Sequence, residues 1–175
     1  VPFFEYPRLW SDDREKFLSI IDNVSLSGGF ILQKAVSDFE SELANYAGSN
    51  YAVGVGNATD GMEIFLEAIG INPGDEIIIS SHTMLATASA IKVVGGEPIP
   101  VDIGEDNLIS IQAIEDAITS NTVGIMPTQL NGRVCDMDSI LAIAKKHGLF
   151  VVEDAAQALG AKYKERHAGK FGLAA

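Results

Sequence analysis

An α/β fold with a mostly parallel sheet covered by helices on both faces is what this sequence predicts, and three observations predict it. From Asn50 onward, short β-branched runs alternate with helical patterns. The helical segments carry clear apolar faces at i, i+3, i+4, i+7. Capping residues sit where those helices should begin and end, leaving only short links. Strand–helix alternation of this kind buries a parallel sheet between two helical layers.

The elements follow in order. Two helical stretches come first, 11–24 and 33–47, the second ending at Gly48. The strands are expected at 51–56, 76–80, 97–101, 122–127 and 149–153. Between them, Met62, Phe65, Leu66 and Ile69 form one apolar face, Met84, Thr87, Ala88 and Ile91 a second, and Met137, Ile140, Leu141 and Ala144 a third. Gly70, Gly95 and Gly148 stand at helix C-caps, and Asp136 at an N-cap. The expected organisation is an N-terminal helical segment, 1–48, and a larger α/β domain, 49–175. After Glu153 the chain runs through 155–161 into a polar stretch, 162–170, whose lysines read as solvated charges. Phe171-Gly172-Leu173-Ala174-Ala175 reads as a strand being approached with no closing helix behind it. A frayed C-terminus is one reading; a domain incomplete at its C-terminal side is the expected one.

The 175 residues carry 24 acidic against 12 basic side chains, a formal net charge of -12. Such a surface repels nucleic-acid phosphates and anionic lipid, so neither is an expected partner. Any phosphate must be held locally, by oriented backbone amides. Cys135 is the one cysteine, which rules out an internal disulfide and fits a reducing compartment. Residues 1–10 show no basic region leading into a long apolar run, and a cytoplasmic location is expected.

In a parallel sheet, ligands bind beyond the carboxyl ends of the strands, so the residues that follow each strand matter most. After the first comes Gly54-Val55-Gly56-Asn57-Ala58-Thr59-Asp60-Gly61, then a helix. A small-residue turn into a helix N-terminus is an anion site or simply a tight turn; Thr59 would add a hydroxyl or act as N-cap. After the second comes Ser80-Ser81-His82-Thr83-Met84, where Met84 leads an apolar helical face. The loop Pro127-Thr128-Gln129-Leu130-Asn131-Gly132 follows the fourth. The last strand delivers Glu153-Asp154-Ala155-Ala156-Gln157, an acidic pair that is costly unless a cation meets it. A pyridinium nitrogen would serve; a turn cap is the other reading.

Taken together, Gly56-Asn57-Ala58-Thr59-Asp60, Thr83-Met84-Leu85-Ala86-Thr87-Ala88, Val101-Asp102-Ile103, the 127–132 loop and Glu153-Asp154-Ala155-Ala156-Gln157 resemble the DegT/StrS family of sugar aminotransferases in order and spacing. Ser27-Gly28-Gly29-Phe30-Ile31-Leu32 is similar to that family's early loop. The resemblance implies the large domain of the fold-type-I aminotransferase architecture, pyridoxal 5'-phosphate as cofactor, a nucleotide-sugar substrate, an amino-acid amino donor and a homodimer. It implies roles as well. Asp154 pairs with the pyridine nitrogen, Gln157 meets the phenolic oxygen, and Ala58, Thr59 and Asp60 cradle the phosphate. Met84 covers the cofactor face, where many relatives place an aromatic ring; Gln129 stands where histidine is frequent. The family's Schiff-base lysine lies beyond the segment matching 163–172, and Lys162, Lys164 and Lys170 do not match it. These 175 residues alone are therefore expected to be inactive and to lack the small C-terminal domain.

Three other functions are weighed. A dehydratase on the same scaffold, with histidine for the lysine, differs at a position this sequence does not contain. A nicotinamide-dependent enzyme would need an acid at the end of the second strand, which instead ends Ile79-Ser80-Ser81-His82. A non-catalytic partner would need neither Asp154 nor Gln157.

Overall fold

The computed structural model describes residues 4–175. They form two compact units, one built from the chain up to Ala44 with Tyr51–Gly54, the other from Asn45–Asn50 and Val55–Ala175.

The first unit holds α1 (Tyr6–Ser27) and most of α2 (Lys34–Ala47). Helix α1 starts earlier than the expected 11–24. Pro7 does not break it, because a proline in the first turn loses no hydrogen bond and fixes φ in the helical range. It ends at Gly28, whose left-handed φ of 69° lets its N–H reach the Ser25 carbonyl. None of its side chains is buried, and Leu9, Trp10, Phe17, Ile20 and Ile21 are all exposed.

The second unit contains α3 (Ala58–Ile69), β1 (Glu76–Ser80), α4 (Leu85–Val93), β2 (Glu97–Val101), α5 (Ile111–Ala117), β3 (Thr122–Met126), α6 (Met137–His147), β4 (Phe150–Val151), β5 (Lys162–Tyr163) and β6 (Arg166–His167). Four parallel strands pair in the order β2-β1-β3-β4, with Ile78 opposite both Ile99 and Ile125, and Ile125 opposite Val151. Side-chain alternation splits the core in two. Ile78, Ile125 and Val151 pack with Ile114 of α5 and Met137 and Ile140 of α6. Ile77, Ile79, Met126 and Val152 pack with Met62 and Leu66 of α3 and Ala90 and Ile91 of α4. Helices cover both faces, as the sequence predicts. No helix among the described residues is long and apolar enough to cross a membrane.

The expected caps form at Gly70, Gly148 and Asp136, the last accepting a hydrogen bond from the Ser139 N–H. Gly95 lies one residue past the α4 cap, which is Val94. The expected strand 51–56 does not form. Tyr51, Val53 and Val55 are exposed, and the Gly54 N–H donates to Glu40 Oε1 rather than to another strand. β-branched residues mark a chain suited to a sheet, but a strand exists only where a neighbour pairs with it. The last expected strand shrinks from 149–153 to Phe150–Val151. Beyond it, Leu173 N–H donates to the Val151 carbonyl and Glu153 N–H to that of Ala174, so 173–174 lie along β4.

The polar stretch after residue 161 is an antiparallel hairpin, β5–β6, rather than free charges alone. Its two turn residues, Lys164 (φ 47°) and Glu165 (φ 65°), both adopt the left-handed conformation. Hairpin turns of that shape favour asparagine and glycine, so no sequence signal marked it. Lys164 pairs with Asp138, and Lys170 donates to the Gly48 carbonyl. Lys162 is exposed.

Candidate active site

The connection α4 leads from β1 to a parallel neighbour, β2, so α4 starts at the carboxyl end of the sheet. Helix α3 packs on the same face and hands the chain to the start of β1, so it too begins at that end. The loops after β3 and β4 arrive there as well. The site residues expected from the sequence all belong to these segments.

Asp154 is buried, and its backbone is held on both sides. Its N–H donates to the Pro127 carbonyl, its carbonyl accepts from the Gln129 N–H, and it bridges Thr128 in parallel fashion. The side chain accepts from Thr87 Oγ1 at 2.6 Å on Oδ2 and from the Ala156 N–H at 3.3 Å on Oδ1. Behind Thr87 the chain of hydroxyls continues, to Thr83 Oγ1 at 2.8 Å and from there to Thr128 Oγ1 at 2.8 Å. Every partner of Asp154 is a neutral donor; among the described residues it forms no ion pair with Lys, Arg or His.

Glu153 differs from its neighbour. It is 1% exposed, and four N–H donors surround it. Gln129 Nε2 and the Gly169 N–H reach Oε2, each at 2.8 Å, while Phe171 and Gly172 N–H reach Oε1 at 2.6 and 3.0 Å. Such a nest stabilises a carboxylate without a cation, so the expectation that the acidic pair needs a positive partner does not apply to Glu153. Gln129 is explained by the same contacts. It is fully buried, its Oε1 accepts from the Cys135 N–H at 2.7 Å, and it ties the 127–132 loop to Glu153. Burial pushes the Cys135 thiol up to about 12, so it stays protonated and unreactive.

Gln157 is exposed, and its amide is oriented. A backbone N–H, that of Asn131, donates to Oε1 at 3.1 Å, and only oxygen can accept it. The Nε2 end is therefore the one left for a ligand. The Gln157 carbonyl also accepts from the Gly132 N–H, so this segment and the loop after β3 are fastened twice. Asn131 takes a left-handed φ of 53° to make the turn.

At the start of α3, Asn57 is the N-cap and its Oδ1 accepts from the Asp60 N–H at 3.0 Å. Besides the cap's own N–H, the first three helical residues, Ala58, Thr59 and Asp60, have N–H groups without intrahelical partners. With that of Asp60 taken, those of Ala58 and Thr59 remain. Thr59 is thus the second helical residue and not the cap. Met84 is the N-cap of α4 in an extended conformation and is 62% exposed. The helix face expected to start at Met84 starts instead at Thr87, which is buried with Ile91. Met84 is left at the mouth of the sheet, its thioether free to lie against a planar ligand. His82 is exposed, and its N–H donates to Ser80 Oγ.

Among the described residues the chain thus presents a buried acid without a cation, an oriented amide donor, two unpaired N–H groups at the start of α3 and an apolar side chain at the rim. These match the ring nitrogen, phenolic oxygen, phosphate and ring face of pyridoxal phosphate in chemical type. Sequence reasoning missed the threonine relay behind Asp154. In the sequence Thr87 stands as one of four positions on an apolar face, and a threonine there is the one hint of a buried hydroxyl with a task.

Comparison with known proteins assigns the chain to a family. Residues 11–175 match the DegT/DnrJ/EryC1/StrS aminotransferase family. The chain is 39% identical to a pleiotropic regulatory protein of Geobacillus stearothermophilus, over 100% of this chain and 47% of that protein. It is 38% identical to the dTDP-3-amino-3,4,6-trideoxy-alpha-D-glucose transaminase of Streptomyces venezuelae, over 97% of this chain and 45% of the relative. It superimposes on a Bacillus subtilis protein solved with bound cofactor PMP at a TM-score of 0.90, with 36% identity, covering 97% of this chain and 39% of that one. The chain therefore spans about half the length, or less, of the proteins it matches. It belongs to the DegT/DnrJ/EryC1/StrS aminotransferase family.

Proposed function

We propose that the whole protein is a pyridoxal-phosphate-dependent aminotransferase that moves an amino group from an amino-acid donor to a keto-sugar nucleotide, in sugar or polysaccharide biosynthesis. The observation that carries this reading is Asp154, a buried carboxylate at the mouth of the sheet, held by neutral donors and met by no cation among the described residues. Bound pyridoxal phosphate supplies a protonated ring that withdraws electrons from the carbon losing its proton. Asp154 holds the proton at the ring nitrogen. Gln157 donates from Nε2 to the phenolic oxygen. The N–H groups of Ala58 and Thr59, with the positive end of α3, hold the phosphate; the Asp60 side chain adds a negative charge there, and its N–H is already capped. Met84 excludes water from one ring face.

Residues 49–175 form the cofactor-holding domain in this reading, and the lysine that carries the cofactor belongs to the half of the relatives' length not spanned here. A cytoplasmic homodimer fits the apolar face of α1, whose large side chains a second copy would cover. The transaminase name of the Streptomyces relative favours amino transfer over dehydration.

The test uses the purified whole protein, titrated with pyridoxal phosphate by absorbance and then given glutamate and a keto-sugar nucleotide. Amino-sugar nucleotide detected by mass spectrometry is the expected result. A protein that binds the cofactor but yields only dehydrated sugar, or that binds no cofactor, contradicts the proposal.

A further inference from the structure

We infer that Thr87, backed by Thr83 and Thr128, is a positioning residue for Asp154: an ordered row of hydroxyls that fixes the carboxylate against the cofactor's ring nitrogen. The inference rests on the function proposed above. Four oxygens from three loops and one helix line up at 2.8, 2.8 and 2.6 Å, in the order Thr128, Thr83, Thr87, Asp154. Thr87 is wholly buried and Thr128 nearly so.

Counting protons gives the row a direction. Each hydroxyl has one proton and a carboxylate oxygen only accepts. Thr87 donates to Asp154 Oδ2, so its oxygen must accept from Thr83, and Thr83 in turn must accept from Thr128. Running the row the other way would leave the Thr128 hydroxyl proton buried with no acceptor among the described residues. Three O–H dipoles therefore point at one carboxylate oxygen, each polarising the next. With Oδ2 held by Thr87 and Oδ1 by the Ala156 N–H, the carboxylate plane cannot turn freely.

The helix makes Thr87 suited to the task. A threonine inside a helix ordinarily bonds back to a carbonyl one turn earlier. At i-4 from Thr87 stands Thr83, just before the α4 cap; its hydroxyl donates to Thr87 Oγ1, whose own proton goes to Asp154 instead of to a carbonyl. The β-branched side chain has few rotamers, so Thr87 Oγ1 stays aimed at Asp154. A valine would fill the same space without the hydroxyl.

The experiment uses the holoenzyme carrying cofactor labelled with ¹⁵N in the ring, read by nitrogen NMR, together with the dissociation constant for pyridoxamine phosphate. In Thr87→Val the ring-nitrogen signal should move from the protonated toward the neutral position, and affinity should fall about tenfold, the scale of losing a residue that orients a ligating group. Thr87→Ser should restore most of both. Thr128→Val, two hydroxyls further out, should shift the signal the same way by less. A folded Thr87→Val with an unchanged ring-nitrogen signal overturns the inference. Should Thr87→Val fail to fold, Thr128→Val decides: a shift supports the row and an unmoved signal overturns it. Asp154→Asn separates the two claims. If it leaves the ring nitrogen protonated, the functional reading itself fails; if it removes that proton while Thr87→Val does not, only the hydroxyl row is refuted.

Discussion

Glu153 and Asp154 are adjacent in the chain yet are held by different parts of the fold: Glu153 by four N–H donors from Gln129 and residues 169–172, Asp154 by the Thr87 hydroxyl and the Ala156 N–H. The first carboxylate ties the 169–172 segment to the sheet. The second is left with lone pairs for a ligand. Alternation along the extended chain separates them, turning neighbouring side chains to opposite faces.

Glu153→Gln should therefore damage the fold rather than the chemistry. An amide NH₂ in place of one oxygen would face N–H donors, leaving buried donors without acceptors. The expected loss is about 2–4 kcal/mol, the scale of breaking charge-assisted buried hydrogen bonds. Urea denaturation of the parent and variant measures it, and an unchanged midpoint would contradict the nest.

Cys135 should resist alkylation in the native protein and react on unfolding, since it is 1% exposed and its thiol is pushed up to about 12. The same shift has a sign for stability. The thiol ionises near 9.0 when unfolded but only near 12 when folded, so the contribution is fully present below pH 9.0 and is lost as pH rises toward 12. Relative to Cys135→Ala, the parent should lose up to about 1.4 kcal/mol per pH unit in that window. Paired denaturation curves at neutral and alkaline pH check it; parallel behaviour of the two proteins would contradict it.

Gly124 should not tolerate a side chain. A Cβ there would lie 2.3–2.6 Å from three ring atoms of Phe150, its partner across β3 and β4. Gly124→Ala is expected to lower stability by about 1–3 kcal/mol, the usual effect of overpacking. Adding Phe150→Val should recover part of that loss, a coupling that thermal unfolding of the double-mutant cycle reads directly.

Much of the fold was legible in the sequence, because period-3.6 faces and caps are local. Met62 and Leu66, and Met137, Ile140 and Ala144, are buried as expected, while Phe65 and Leu141 are half-buried and Ile69 is exposed. What failed was non-local. Residues 51–56 have strand composition but pair with no strand among the described residues, and the β5–β6 turn uses Lys164 and Glu165 where a hairpin signal would need asparagine or glycine. In the candidate site, the residues after β1, β3 and β4, Asp154 among them, were legible as residues that follow strands, whereas Ala58, Thr59 and Asp60 follow a segment that forms none. The threonines that hold Asp154 were not, since Thr83, Thr87 and Thr128 come together only in three dimensions. Gln129 could not be interpreted until its contacts with Glu153 and Cys135 were seen.

Gln157→Ala should weaken the site less than any change at Asp154. It removes the Asn131 N–H bond that holds the loop and, in the proposed function, one neutral hydrogen bond to the cofactor. A loss of about tenfold in kcat/KM is expected, equivalent to a net contribution near 1.4 kcal/mol. Steady-state kinetics decide it, and a loss as large as that at Asp154 would contradict this ranking.

The most direct test of the account is the half-reaction rate of Asp154→Asn in the holoenzyme, measured by single-turnover absorbance with the amino donor. Asparagine keeps the shape and removes the charge that, in the proposed function, holds the ring nitrogen protonated. The predicted result is a rate at least about a hundredfold lower, the scale of removing one preorganised group from a catalytic site, in a protein that still folds and still binds cofactor. A rate near that of the parent, with unchanged cofactor absorbance, would make Asp154 a turn-capping residue and contradict the central claim.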